Sequence, residues 1–479
     1  MRLLRLGGSV SEREGVVHSP SLTRRSLDWR LALLLALTLL HGLLYTGVVP
    51  PWQHPDEPGH FEHARLIAES KRLPTPADVS IPTRREIAVS MLEFDFWEGM
   101  AQPSLDDATV LSGSPIVIYA LSQPRLYYII AGAWLAPWLL LSVEAQLYLL
   151  RFLSVLLNVM VVAAVWLGSR RLFPEDECLP FAVAAFLVFQ PMYTDMMAAV
   201  NNDVLANALA AAFFLSIADV YRRGPRLLTV TLIAGTLVAG ILTKTTFVII
   251  FISLPLLFIT YPWRSRWLRV TALVAAVVGV LTLLGFMWLT AGDQHSGLAS
   301  KLAEILGRYF RVDWQATVRA LLSPGGEDAP NLAATAVVVS KSFWAAFGWG
   351  HVTLPPGLYI VPAIFTAIAI LGLLRLALTS GRSHVPWRAG YLSYSLLAVL
   401  LAWAAAIVRS LAVQGMGVYL SHGRYVFVAM VPFAFLFTYG ILGWIPRSWR
   451  SLATALYLLT FAIFDALCFW GYLVPFYYG

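Results

Sequence analysis

Charge is what this chain has least of. Asp, Glu, Lys and Arg make up only 13% of its 479 residues, against roughly 25% in an ordinary soluble domain. Cysteine is nearly missing too. Cys178 and Cys468 stand far apart, so neither a disulfide framework nor a cysteine-based metal site follows. No internal repeat or low-complexity segment is visible, and without inverted symmetry the common transporter architecture loses support. The apolar stretch from Leu31 to Val49 ends in YTGVVPPWQ, without a small-x-small cleavage pattern, and it follows a polar segment. It therefore reads as an uncleaved first span.

Hydrocarbon is what the chain has in abundance. Hydrophobic residues make up 58% of it, with mean hydropathy +0.70, and several runs approach the ~20 residues that cross a bilayer as helix. The expected class is an all-α polytopic membrane protein. Eleven spans are predicted: 31–49, 147–168, 180–198, 204–220, 227–243, 246–262, 268–290, 356–379, 390–410, 424–443 and 451–472. The formal charge of +7 is no nucleic-acid signature, because the basic residues lie in short loops rather than in one patch.

Those loops decide the status of a further apolar stretch, 124–142. If it does not cross, the short loops bearing Arg170/Arg171, Arg222/Arg223/Arg226, Arg264/Arg266/Arg269, Arg375/Arg382/Arg388 and Arg447/Arg450 share a side with an Arg-rich N-terminal tail. That side then holds 19 of the 34 Lys and Arg, while the opposite short turns hold Lys244 and Arg424. Short basic loops face the cytoplasm. The tail (1–29) is then cytoplasmic and the C-terminus external. Cys178 falls in a cytoplasmic loop and Cys468 inside a helix. Tyr127, Tyr128, Trp134 and Trp138, with Pro137 among them, suit a helix lying in the interface. Four regions follow: the tail, a module over 30–290 with a first external loop at 50–146, an external loop at 291–355, and C-terminal spans over 356–479.

The first loop begins PPWQHPDEPGHFEHARLIAESKRLP (50–74), and from 50 to 123 it carries 11 Asp and Glu against 5 Lys and Arg. Pro58 suits the first turn of a helix. Asp56 or Glu57 is then the N-cap, and its neighbour is left near the membrane surface. The helix should run to about Lys71 with Glu62, Arg65 and Glu69 paired on its wet face, and Pro74 and Pro76 end it. Two capping carboxylates on a solvated loop would be the plain structural account.

The string PDEPGHFEHARLIAE resembles the first external loop of GT-C glycosyltransferases. These multi-span enzymes take a sugar from a polyprenyl-phosphate carrier; bacterial lipid A aminoarabinose transferases and protein O-mannosyltransferases are among them. The order of further stretches is similar: QPRLYY at 123–128, RRLFP at 170–174, VNNDVLAN at 200–207 and LTKTTF at 242–247. KSFWAAFGWGHVTLP at 341–355 and HGRYVFVAMVP at 422–432 look like a bacterial branch of that superfamily.

The resemblance implies an inverting sugar transfer at the outer face of the plasma membrane. The partners it implies are a polyprenyl-phosphate sugar, a lipid, glycan or protein acceptor, and the bilayer. Asp56 becomes the candidate base and Glu57 its catalytic neighbour, which fits an oxocarbenium-like transfer needing a base for the acceptor proton. Asp203 is either an N-cap or a second acid near the donor. Lys244 is either a snorkelling interfacial lysine or, with Arg424, a cation for the carrier phosphate. Arg125 stands where the family has proline and is a further phosphate candidate. His60, Tyr127, Tyr128, Asn202, Trp344 and Trp349 are candidate substrate-lining residues, the aromatics doubling as belt residues. No cofactor is implied. His54, His60 and His63 match no established metal signature, although a divalent ion on His and Asp is chemically compatible. The competing class is a glycan or lipid transporter without transferase activity.

Overall fold

The computed structural model describes residues 28–98, 101–113, 123–263, 332–379, 386–414 and 422–479, with the single positions 121, 270 and 274. The N-terminal tail up to residue 27, the expected span 268–290 apart from positions 270 and 274, and the first part of the 291–355 loop lie outside the described residues. What is described is almost entirely helical, and the chain is a multi-pass membrane protein.

Seven helices are long and apolar enough to cross a bilayer, and an eighth crossing is possible if one bent pair counts as a single span. Eleven is not reached among the described residues. Leu227–Thr243 and Thr245–Thr260 are apolar helices but shorter than a full span, and 180–198 is not one helix. It divides into α7 (Cys178–Val188) and α8 (Pro191–Met197), bent by 64°.

The cause of the break is local. Pro191 has no N–H to continue α7, and Gln190 takes an extended conformation. Its side chain accepts from Tyr193 N and donates to Phe343 O at 2.6 Å. The carbonyl of Val188 freed by the break accepts from Thr194 Oγ1 at 3.0 Å and lies 2.8 Å from His41 Nδ1. Broken backbone inside hydrocarbon survives only when protein groups satisfy it.

Stretch 124–142 forms α5 (Leu126–Leu135) and a 3-10 turn, Ala136–Trp138. Thirteen residues rise about 20 Å as helix, short of the ~30 Å hydrocarbon core. Instead α5 lies against α2 (Glu57–Ser70). A side chain at Gly132 would come within 2.8 Å of Ile67 and 2.9 Å of Ala64 O, so glycine permits the close approach.

Four further elements frame one end of the bundle. These are α1 (Trp29–Val48), α6 (Val143–Leu172), α9 (Asn202–Arg223) and α10 (Leu227–Thr243). A helix at Leu332–Trp344 leads into a two-stranded hairpin, Ala346–Phe347 paired with Val352–Thr353. The hairpin turns through Gly348, Trp349 and Gly350, all at positive φ. The indole of Trp349 donates to Trp52 O at 3.2 Å, tying this region to the first loop. At the other end, the loop between α6 and α7 presents Glu175, Asp176 and Glu177 to Arg388, Arg450 and Arg30.

Candidate active site

The first loop turns sharply before α2, with Trp52 and Asp56 both in the left-handed region (φ 74° and 64°). That turn separates the acidic pair. Asp56 occupies the N-cap position, but its side chain makes no cap hydrogen bond. Its Oδ2 accepts from Arg424 Nη2 at 2.5 Å, and the side chain stays 28% exposed. The capping expectation is therefore corrected. The left-handed turn swings the carboxylate away from the helix's own N–H groups and toward Arg424.

Glu57 points the other way and is fully buried. Its carboxylate accepts from Arg151 Nε and Nη2 at 2.8 and 2.7 Å, from Trp52 N at 3.0 Å and from Val200 N at 3.2 Å. Arg151 donates its remaining hydrogens to the carbonyls of Thr46, Val49 and Pro50. All five guanidinium donors are used, two on Glu57 and three on the end of α1. Glu57 is thus bound into the scaffold that holds the loop.

Glu62 is also buried and pairs with Arg84, which corrects its assignment to the wet face. Helix α3 (Ile81–Glu93), which the pattern of the first loop alone does not announce, carries Arg84 to that side. Arg65 and Glu69 do form the expected pair at 2.8 Å, and Arg65 also meets Glu86.

The broken helix delivers the second part of the site. After α8 the chain turns through 198–201 into α9, and Ser154 Oγ fixes the turn by donating to Ala199 O at 2.7 Å. Asn201 is the cap of α9, accepting from Val204 N at 3.2 Å. That excludes the N-cap role for Asp203, whose carboxylate pairs with Lys244. Asn202 donates to Thr243 O at 3.1 Å and pins α9 to the lysine turn. Lys244 is only 9% exposed, so it does not snorkel along lipid.

Tyr425 gathers the cations. Over its ring lie Arg409 at 4.1 Å, Arg424 at 5.5 Å and Lys244 at 5.6 Å. Arg424 is 8% exposed, and its Nε and Nη1 are buried with no hydrogen-bond partner among the described residues. His60 completes the group, with Nδ1 2.6 Å from Tyr128 Oη. Tyr128 in turn stacks on His63 at 3.8 Å.

Burial by itself would push the Asp56 carboxyl up. The Arg424 guanidinium, aided by Lys244 and in acid by protonated His60, outweighs it and holds the group well below the usual carboxylate range. For His60 burial dominates and brings the imidazole down to about 4, against the pull of Asp56 and with Lys244 pushing the same way. At neutral pH His60 is uncharged.

Asp56, His60, Asp203, Lys244 and Arg424 therefore converge. The other candidates do not all join them. Tyr127 is buried edge-on to Tyr128, while Arg125 is exposed at the head of α5. Trp349 is half-buried against Phe96. Trp344 lies in an aromatic core with Phe186, Phe433 and Phe461. Among the described residues no group of three or more His, Cys, Asp or Glu is arranged to hold a metal ion. His54 instead faces Asp195 at 3.4 Å, both fully buried.

Three contributors were not assigned from sequence. Arg151 and Arg409 are lone arginines in apolar stretches, which is itself a functional signal. Tyr425 lay inside a quoted motif without a role.

No protein-family model and no curated relative matches the chain. Among solved structures it is similar to the oligosaccharyltransferase of Archaeoglobus fulgidus in its apo form. The TM-score is 0.47 at 13% identity, over 94% of this chain and 55% of that one. It is also similar to ArnT from Cupriavidus metallidurans in the apo state, with TM-score 0.29 at 13% identity, over 85% of this chain and 78% of that one. The chain spans about half the length of the oligosaccharyltransferase.

Proposed function

We propose that this protein is a GT-C-type membrane glycosyltransferase. It moves a sugar from a polyprenyl-phosphate donor to an acceptor hydroxyl at the outer face of the plasma membrane. One observation carries the reading: Asp56, Asp203, Lys244 and Arg424, spread over 369 positions of sequence, meet at one end of the bundle as two acid–cation pairs. Acids beside cations answer the two needs of the reaction. The acceptor oxygen must lose a proton as it bonds to the anomeric carbon. The departing phosphate oxygen must be held as it takes the electron pair of the breaking bond.

In this scheme Asp56 takes the proton, and Lys244 and Arg424 hold the phosphate. Asp203 positions Lys244. Attack from the face opposite the leaving phosphate inverts the anomeric carbon. Glu57 and Arg151 hold the loop that presents Asp56.

The basic short loops support an orientation with the N-terminus cytoplasmic and the site external. The short α5 supports it. A cysteine introduced at Glu144 should label with an impermeant reagent added outside intact cells; labelling only after permeabilisation would reverse the topology.

A transporter is the second reading. It draws on a polar group inside the bundle, where Asp465 meets His41 Nε2 at 2.7 Å and Tyr45 Oη at 2.9 Å. Ionisable groups within spans often mark transport paths. The purified protein in lipid nanodiscs, given a polyprenyl-phospho-sugar and a pool of candidate acceptors, separates the two. Transferase activity releases polyprenyl phosphate with product. A protein that moves intact donor between leaflets of liposomes without consuming it is a transporter.

A further inference from the structure

The two cations of the site are not vacant. Each is held by an acid: Arg424 by Asp56 and Lys244 by Asp203. Arg424 gives Asp56 only Nη2, while its Nε and Nη1 remain buried without a partner among the described residues. A guanidinium presents two forked edges, Nε with Nη2 and Nη1 with Nη2, and both include the nitrogen that Asp56 occupies. An anion that takes a fork therefore engages Nη2, where it meets Asp56. Phosphate has two oxygens with which to do so. The Tyr425 ring keeps Arg409 and Lys244 beside Arg424, so an anion arriving there meets three positive charges.

We propose that the donor's phosphate and the Asp56 carboxylate compete for Arg424, so that the donor must bind first and, by drawing Arg424 onto itself, turns Asp56 into a base. The proposal rests on the function proposed above and adds its order and its control.

The chemistry follows from which charge faces Asp56. While Arg424 holds it, the carboxylate is too stable to accept a proton from a hydroxyl, because the guanidinium outweighs burial. When phosphate withdraws that guanidinium, burial acts with less opposition and basicity rises. The acceptor O–H then gives its proton to Asp56 as oxygen bonds to the anomeric carbon. The anomeric C–O bond breaks, and its electron pair passes to the phosphate oxygen at Arg424. Without a donor, Asp56 stays clamped and a bound acceptor is not activated.

Competition makes an uncommon prediction: removing the catalytic carboxylate should strengthen donor binding. The probe is a polyprenyl monophosphate titrated into the full-length protein in neutral-lipid nanodiscs. Asp56→Asn and Asp56→Ser should each bind it about ten-fold tighter than the wild type, equivalent to about 1.4 kcal/mol. Arg424→Gln should bind about ten-fold more weakly, with Arg424→Lys between them. A tightening cannot come from a folding defect, so the two Asp56 variants read the competition directly.

If both bind the phosphate no tighter than wild type while Arg424→Gln still weakens it, phosphate sits on Arg424 without competing with Asp56. That outcome overturns the ordered mechanism and leaves the proposed function standing. If wild type and all variants fail to bind polyprenyl phosphate, the phosphate site itself is wrong, and both ideas fall.

Discussion

Asp56 and Glu57 are neighbours of one chemical kind, yet they face different worlds. Glu57 is sealed in the bundle and receives four hydrogen bonds, two from Arg151 and two from backbone N–H groups. Asp56 remains 28% exposed and meets Arg424 directly. Both are held below their ordinary carboxylate range against burial, Glu57 chiefly by Arg151 and Asp56 chiefly by Arg424. The difference lies in what else the partner does. Arg151 has no donor to spare, so its pair is a fixed joint; Arg424 has two, so its pair can be exchanged. Residue type in the sequence cannot tell the joint from the working group. The satisfaction of the arginine can.

The sharpest way to break this contrast is to remove charge from each acid in turn. Asp56→Asn should reduce transfer by on the order of 10²–10⁴ while the melting temperature stays nearly unchanged. The lost pair is partly exposed. A variant retaining full transfer would remove Asp56 from the chemistry.

Arg151→Met is the next largest and acts on the other side of the comparison. It leaves the Glu57 carboxylate buried without its counter-charge, which costs about 3–5 kcal/mol, and it strips three carbonyls at the end of α1 of their donor. The protein should melt far lower or fail to accumulate. Glu57→Gln, which keeps size and some hydrogen bonding, should be milder in the same direction. If Glu57→Gln instead left melting unchanged and abolished transfer, Glu57 would belong to the catalytic group.

Much of this was legible from sequence because it is local. Pro58 and the i,i+4 spacing of Arg65 and Glu69 place helix 57–70 with its surface pair. Pro137, visible in the sequence, falls in the 3-10 turn that closes the α5 segment. What failed needed partners far along the chain. Glu62 reads as solvated until α3 brings Arg84 over it, 22 residues away. Asp203 reads as a cap until Asn201 takes that role and Lys244 arrives from 41 residues on. The break at Gln190–Pro191 was hidden because uniform apolarity erases helical periodicity. Proline was the only mark, and broken spans share it with kinked ones.

The smallest expected effect refines the comparison with a third carboxylate. Glu57 and Glu62 lie on one helix, and each is buried against an arginine. Glu57 also accepts two backbone N–H bonds, and its carboxyl is held below the ordinary value despite burial, Arg151 being the main opposing influence. The described bonds to the Glu62 carboxylate come from Arg84 alone, which spends its third nitrogen on Val110 O and Leu111 O. Burial therefore wins, and the Glu62 carboxyl is pushed up. The two signs predict opposite responses to acid.

The Glu57 contribution is present above the unfolded glutamate value, about 4.3, and is lost as pH falls through its lower folded value. The Glu62 penalty is present above its raised folded value and is relieved as pH falls from there toward the ordinary one. His60 sets the background: below the ordinary imidazole value its unfolded ring takes up a proton that the folded ring, held to about 4, does not, so stability falls as pH drops. Glu62 opposes that fall, while Glu57 and Asp56 add to it at lower pH. Each group contributes at most about 1.4 kcal/mol per pH unit. Measured as melting temperature against wild type, Glu62→Gln should make the upper part of the decline steeper, and Glu57→Gln should make the lower part shallower. If Glu62→Gln made the lower part shallower instead, Arg84 rather than the backbone would be the stronger anchor, and the distinction between joint and working pair would need a different physical basis.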